Sequence, residues 1–164
     1  MQRGATLIQI MLALALAGVL TQVSLNAYRT MGDELHRARL ARELAQALRV
    51  ARGQALLQGE MMALRPWGTA WNAGWQVIRV QDGQVLREQR FGARAQVAIV
   101  GTTRREVRFS AQGMPLAGHG TLRNGTFHVC DVQTGRSRHQ VVWASSGRIS
   151  LRTEDLAEPR CAGG

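Results

Sequence analysis

Residues 4–28 read GATLIQIMLALALAGVLTQVSLNAY, and nothing in that stretch carries a formal charge. Leu7 to Leu20 is almost wholly apolar. Extended through Val23 and Leu25, the run approaches the roughly 20 residues that a helix needs to cross a bilayer. Ala, Leu and Met dominate it, and all three are strong helix formers. A buried helix of a soluble protein would show a polar face, and this stretch has none. A secretory signal peptide is the stronger rival, because Ala13-Leu14-Ala15 and Ala15-Leu16-Ala17 have the small-x-small form of a cleavage site. Against it, the charged leader is only Met1-Gln2-Arg3, and the apolar run continues past both sites to Val23. Charge does not fix the orientation. Arg3 lies on one side, while Arg29, Arg37, Arg39 and Arg42 lie on the other, offset by Asp33 and Glu34. Long domains translocate largely regardless of such flanks.

Beyond the apolar run, Asp33 to Gly59 reads as the second half of the same helix. Leu40, Leu44 and Leu48 recur every four residues, joined by Ala41, Ala45, Ala51 and Ala55, so one apolar stripe faces the rest of the chain. Arg37, Arg39, Arg42, Arg49 and Arg52 fall on the other sides, and Gly59 suits a helix C-cap. After Gly59 the period shifts toward two. Strands are expected at Met61–Arg65, Gly74–Val80, Gln84–Arg90, Gln96–Val100, Glu106–Ser110, Gly125–Asp131, Gln140–Ala144 and Arg148–Arg152. Asp82-Gly83, Gln112-Gly113, Asn124-Gly125, Thr134-Gly135 and Ser146-Gly147 separate them as turns. One long helix followed by short strands predicts an α+β fold, the helix packed on an antiparallel β-sheet or small β-sandwich head. The periods divide the chain into an apolar helix ending at 28, the second half of that helix at 29–59, and a β-rich head at 60–164.

The chain has 164 residues and a net charge of +10, from 21 basic and 11 acidic side chains, and every basic one is Arg. Two accounts compete: codon usage in a GC-rich genome, and selection for the bidentate contacts that a guanidinium makes to phosphate or carboxylate. Cys130 and Cys161 are the only cysteines, and neither belongs to a C-x-x-C motif. In an exported head a single pair reads as a disulfide, with two unrelated thiols as the alternative. His36, His119, His128 and His139 show no metal spacing, and a His119, His128, Cys130 cluster is conceivable but less natural than two histidines on the surface of a loop and a strand. Gly118-His119-Gly120 lacks the Gly-Lys-Ser/Thr that a phosphate loop requires. No pair of acids and no nucleophile with a base stands out, so neither an enzyme nor a cofactor is expected. Trp67, Trp71, Trp75 and Trp143 are read as core and loop anchors.

Arg3-Gly4-Ala5-Thr6-Leu7-Ile8-Gln9-Ile10-Met11 resembles the class III signal of type IV pilins: a short basic leader ending in Gly, then an apolar helix. Further pieces resemble the GspH/FimT family in order along the chain. They are the helix end Ala51-Arg52-Gly53-Gln54-Ala55, the strand Trp71 to Ile78, the turn Phe109 to Gly113, the strand Gly125 to Cys130 and the close Val141 to Leu151. The resemblance implies a leader at 1–4, cleavage after Gly4 by a prepilin peptidase, N-methylation of Ala5 and so a membrane helix at 5–28. It also implies a single-pass inner-membrane anchor with a periplasmic head, and incorporation beside major and minor pilins into a type IV pilus or type II secretion pseudopilus. Gln9 replaces the usual Glu, whose carboxylate neutralises the N-terminal ammonium of a neighbouring subunit; this suggests a low-copy or tip-proximal subunit. Asn26 stands where many pilins have a kinking Pro, and Gly53 where the family has Ser.

From Arg79 to Arg152 there are twelve Arg against Asp82, Glu88, Glu106 and Asp131. FimT-like pilins that take up DNA use a C-terminal Gly-Arg-x-Arg, which here reads Gly147-Arg148-Ile149-Ser150, with Arg152 on the same face if the strand continues. Arg136, Arg138, Arg148 and Arg152 are therefore the expected contacts to double-stranded DNA. Filament assembly is the first reading of the chain, and a filament-borne DNA receptor whose main task is DNA uptake is the alternative.

Overall fold

Helix α1 (Leu7–Gln58) opens a chain that divides into two units, Met1–His36 and Arg37–Gly164. The computed structural model describes residues 7–91, 97–117, 120–156 and 158–161, and only the backbone of 23–27 and 29. Gly4 and Ala5, the expected processing site, lie outside the described residues, as does His119. In the first unit the helix is exposed along its apolar length. Leu7, Ile8, Met11, Leu14, Val19 and Leu20 are between 62 and 76 % exposed. Among the described residues no helix is long and apolar enough to cross a membrane. The segment 5–28 begins before them and includes 23–27, whose side chains lie outside them.

In the second unit the α1 stripe behaves as its spacing predicts. Leu40, Ala41, Leu44, Ala45, Leu48, Ala51 and Ala55 are all buried, placed on one face by the i, i+4 period. Gly59 follows the last helical residue with φ +66, a conformation that costs glycine nothing and lets the chain turn away. Two of the arginines that lie off the apolar stripe make contacts within the head. Arg37 Nη1 lies 2.9 Å from the Asp131 carboxylate, and Arg52 Nε donates to the Gly113 carbonyl at 3.0 Å.

Among the described residues nine strands follow: β1 (Met62–Pro66), β2 (Gly74–Arg79), β3 (Val85–Arg90), β4 (Val97–Gly101), β5 (Val107–Phe109), β6 (Pro115–Leu116), β7 (Gly125–Asp131), β8 (Ser137–Trp143) and β9 (Ile149–Thr153). They form two antiparallel sheets, ordered β3-β2-β1-β5-β6 and β4-β7-β8-β9. All eight expected strands are present. The two-residue β6, too short to show a period, and a single 3-10 turn at Trp71–Ala73 were not expected. Strand β8 starts at Ser137, before the expected Gln140, because Ser137 is buried and pairs with Cys130 across a register shift in β7.

Both sheets and the helix share one apolar core. Three of the four tryptophans are buried in it, and Trp71, Phe127 and Trp143 form a chain of tilted aromatic contacts with centroids 4.6 and 4.9 Å apart. The Trp71 indole N–H, which would otherwise be buried without a partner, donates to the Thr103 carbonyl at 3.1 Å. Trp67 is half-buried and carries the Arg90 guanidinium 3.7 Å over its ring.

Candidate functional site

Cys130 and Cys161 form a disulfide with Cα atoms 6.2 Å apart. It ties the C-terminal tail to β7, and the Cys161 N–H donates to the Gly135 carbonyl of the β7–β8 turn. With both sulfurs joined, Cys130 has no thiolate to offer a metal, so the conceivable His119, His128, Cys130 cluster is not one. His128 stands half-buried on β7, with Nδ1 3.3 Å from the Ser137 hydroxyl. Burial, and then the nearby Arg160 guanidinium, hold its pKa below the ordinary histidine value.

The β8–β9 hairpin separates the four arginines expected to meet DNA. Register pairs Gln140 with Arg152 and Trp143 with Ile149. Arg152 and Arg138 therefore lie toward one end of the hairpin, with Arg136 in the turn preceding β8. Arg148 lies at the other end, just before β9, four residues and about 13 Å along the strand from Arg152. The ends differ in charge. Around Arg136 and Arg138 the arginines meet acids: Arg138 lies 3.7 Å from Asp155, Arg37 2.9 Å from Asp131, and Arg160 3.0 Å from Glu158.

Around Arg148 they do not. A depression of about 290 Å³ is lined by Arg49, Arg52, Gly53, Leu56, Arg148 and Ile149, with no acidic side chain among them. Arg49 reaches the Ile149 carbonyl at 3.5 Å. Gly147, with φ +80, is the residue that brings the hairpin this close. A Cβ there would fall 2.6 Å from the Gly113 carbonyl and 2.7 Å from Arg52 Nε. The glycine of the Gly147-Arg148 pair thus has a steric reason of its own.

A second depression, about 490 Å³, opens at the same end of the β4-β7-β8-β9 sheet. It is lined by the loop 102–106 after β4, by Arg108 and Trp143, and by Arg123 ahead of β7. Arg104, Arg105, Arg108 and Arg123 meet one acid there, Glu106, which pairs with Arg108. The sequence reading missed Arg49 and Arg52 as site residues because helix arginines are ordinarily solvated. The available signal was Gly53 beside them, a glycine in the middle of a strongly helical stretch.

No curated protein matches the chain significantly. Two crystal structures of the type IV minor pilin FimU from Pseudomonas aeruginosa, in different crystal forms, resemble it. One has a TM-score of 0.60 and 19 % identity over 77 % of this chain and 96 % of that one. The other has a TM-score of 0.57 and 18 % identity over 74 % and 98 %. At that identity the likeness establishes the fold: a helix packed on antiparallel sheets, as in a pilin. A family model described as type II transport protein GspH matches residues 40–147, which run from the buried helical stripe to the glycine of the β8–β9 turn, and the chain belongs to the GspH family.

Proposed function

We propose that this protein is a minor pilin or pseudopilin that takes part in assembling a type IV pilus or type II secretion pseudopilus. The observation that carries the reading is the bare apolar face of α1 in the first unit, where nine large side chains from Leu7 to Leu20 are at least half exposed. A face of this kind needs a cover of lipid or of other apolar helices, and a filament subunit finds both in turn. The organisation that follows is a leader at 1–4 removed by a prepilin peptidase after Gly4, N-methylation of Ala5, and a helix at 5–28 held in the inner membrane. The remainder of the helix (29–59) and the head (60–164) face the periplasm, and the apolar helix packs against other pilins in the filament.

Gln9 assigns the chain to a low-copy position. A Gln can accept a hydrogen bond but cannot cancel the ammonium of a neighbouring subunit in an apolar filament core, where an isolated charge is expensive. Quantifying subunits in sheared filaments or purified pseudopili from the native host tests this. The expected result is trace abundance beside a dominant pilin, with Gln9→Glu changing incorporation and leaving the head's thermal stability unchanged. Recovery of this chain as the dominant subunit would contradict the assignment.

A second reading, a head that binds double-stranded DNA, is favoured by the charge of +10 and by exposed arginines. Of Arg136, Arg138, Arg148 and Arg152, Arg148 stands where that charge is least offset by acids.

A further inference from the structure

We propose that phosphate groups of a nucleic-acid backbone bind at the end of the head formed by Arg49, Arg52 and Arg148, with Arg104, Arg105 and Arg123 extending the face. The proposal rests on the DNA-binding reading and deepens it by naming where contact is made. That place excludes Arg136, Arg138 and Arg152.

Three observations single out this end. First, Arg52 is already fixed. Its Nε is held by the Gly113 carbonyl and the Gly147 turn lies against it, so its remaining N–H donors meet an anion with little further loss of side-chain freedom. Second, no carboxylate lines the Arg49, Arg52, Arg148 depression, and one carboxylate meets four arginines in its neighbour. At the opposite end of the same sheet the charge of the arginines is offset by nearby carboxylates, Asp155 beside Arg138, with Asp131 and Glu158 held by Arg37 and Arg160. Third, Gly53 has no packing reason. A Cβ built there meets no atom within 4 Å, yet a glycine inside a helix costs about 1 kcal/mol relative to alanine. Its effect is to leave the floor of the depression open beside Arg49 and Arg52.

The occupant follows from the layout. A single small anion would fill one depression and leave the other, whereas a nucleic-acid backbone presents phosphates in series. The one aromatic residue lining either depression, Trp143, is only 1 % exposed. There is thus no platform on which unpaired bases could stack, so the contact suits the outside of a duplex and is indifferent to sequence.

The test is fluorescence anisotropy of a labelled DNA duplex with the full-length chain in neutral detergent, over a salt series. Wild type should bind at low salt. Removing Arg49, Arg52 and Arg148 together (each to Ala) should weaken binding about tenfold or more and flatten the log–log salt slope by about three, near one for each lost phosphate contact. Removing Arg136, Arg138 and Arg152 should change affinity less than about threefold. Gly53→Glu is the independent probe. It sets a carboxylate in open space, favours the helix, and should weaken binding as strongly while raising the melting temperature, with Gly53→Gln as the uncharged control. Loss of binding only when Arg136, Arg138 and Arg152 are removed, or equal binding by Gly53→Glu and Gly53→Gln, would overturn this site and leave the DNA-binding reading standing. No binding by wild type even at low salt would overturn that reading and the site with it.

Discussion

His128 shows how a single side chain couples the head to its surroundings. Its ring is partly withdrawn from water on β7, and burial first, then the Arg160 guanidinium, lower its pKa from the ordinary 6.5. The unfolded chain then binds a proton at a pH where the folded chain does not, so the unfolded state holds more protons and stability rises with pH. The contribution is complete above about 6.5 and is lost as pH falls below it toward the lowered folded value. The expected outcome is a urea midpoint that declines from neutral pH toward pH 5 more steeply in wild type than in His128→Gln. Superimposable pH profiles would contradict the assignment. Arg37 and Arg52 make a similar point for charge, since each anchors part of its guanidinium within the head, on the Asp131 carboxylate for one and the Gly113 carbonyl for the other.

At the scale of elements, the Cys130–Cys161 bridge closes a loop with a sequence separation of 31. Restricting the unfolded chain over that length should contribute about 3–4 kcal/mol. Replacing both cysteines by serine should lower the denaturation midpoint accordingly, and a reductant should do the same to wild type while leaving the variant untouched. Equal midpoints for oxidised and reduced wild type would contradict a stabilising bridge.

Elements with a strong period were legible from the residues alone. The Leu40, Leu44, Leu48 stripe, the Gly59 cap and the strands bounded by Asp82-Gly83 and Asn124-Gly125 all follow from spacing and turn chemistry. Strand β6 was not, since two residues carry no period, and β8 was set back because its first residues are polar: Ser137 and His139 are buried in spite of their chemistry. The site was legible only in part. Arg148 could be found from its neighbour Gly147, but that Arg49 and Arg52 stand beside it depends on how the helix lies against the β8–β9 turn. No local pattern encodes that contact.

The whole chain has two faces to satisfy. One is the apolar length of α1 before residue 36, exposed along nearly every large side chain. The other is a head whose basic side chains stand among several acids at one end of its second sheet and meet a single one, Glu106, in the depressions described at the other. A secretory signal would discard the first face, whereas a filament subunit keeps it and buries it twice, in lipid and then among other helices. Mature protein isolated from the native host therefore tests the account most directly, by mass spectrometry of its N-terminal peptide. The account predicts a chain that begins at N-methyl-Ala5. A chain that begins near Gly18, or one that retains Met1 to Gly4, would contradict it.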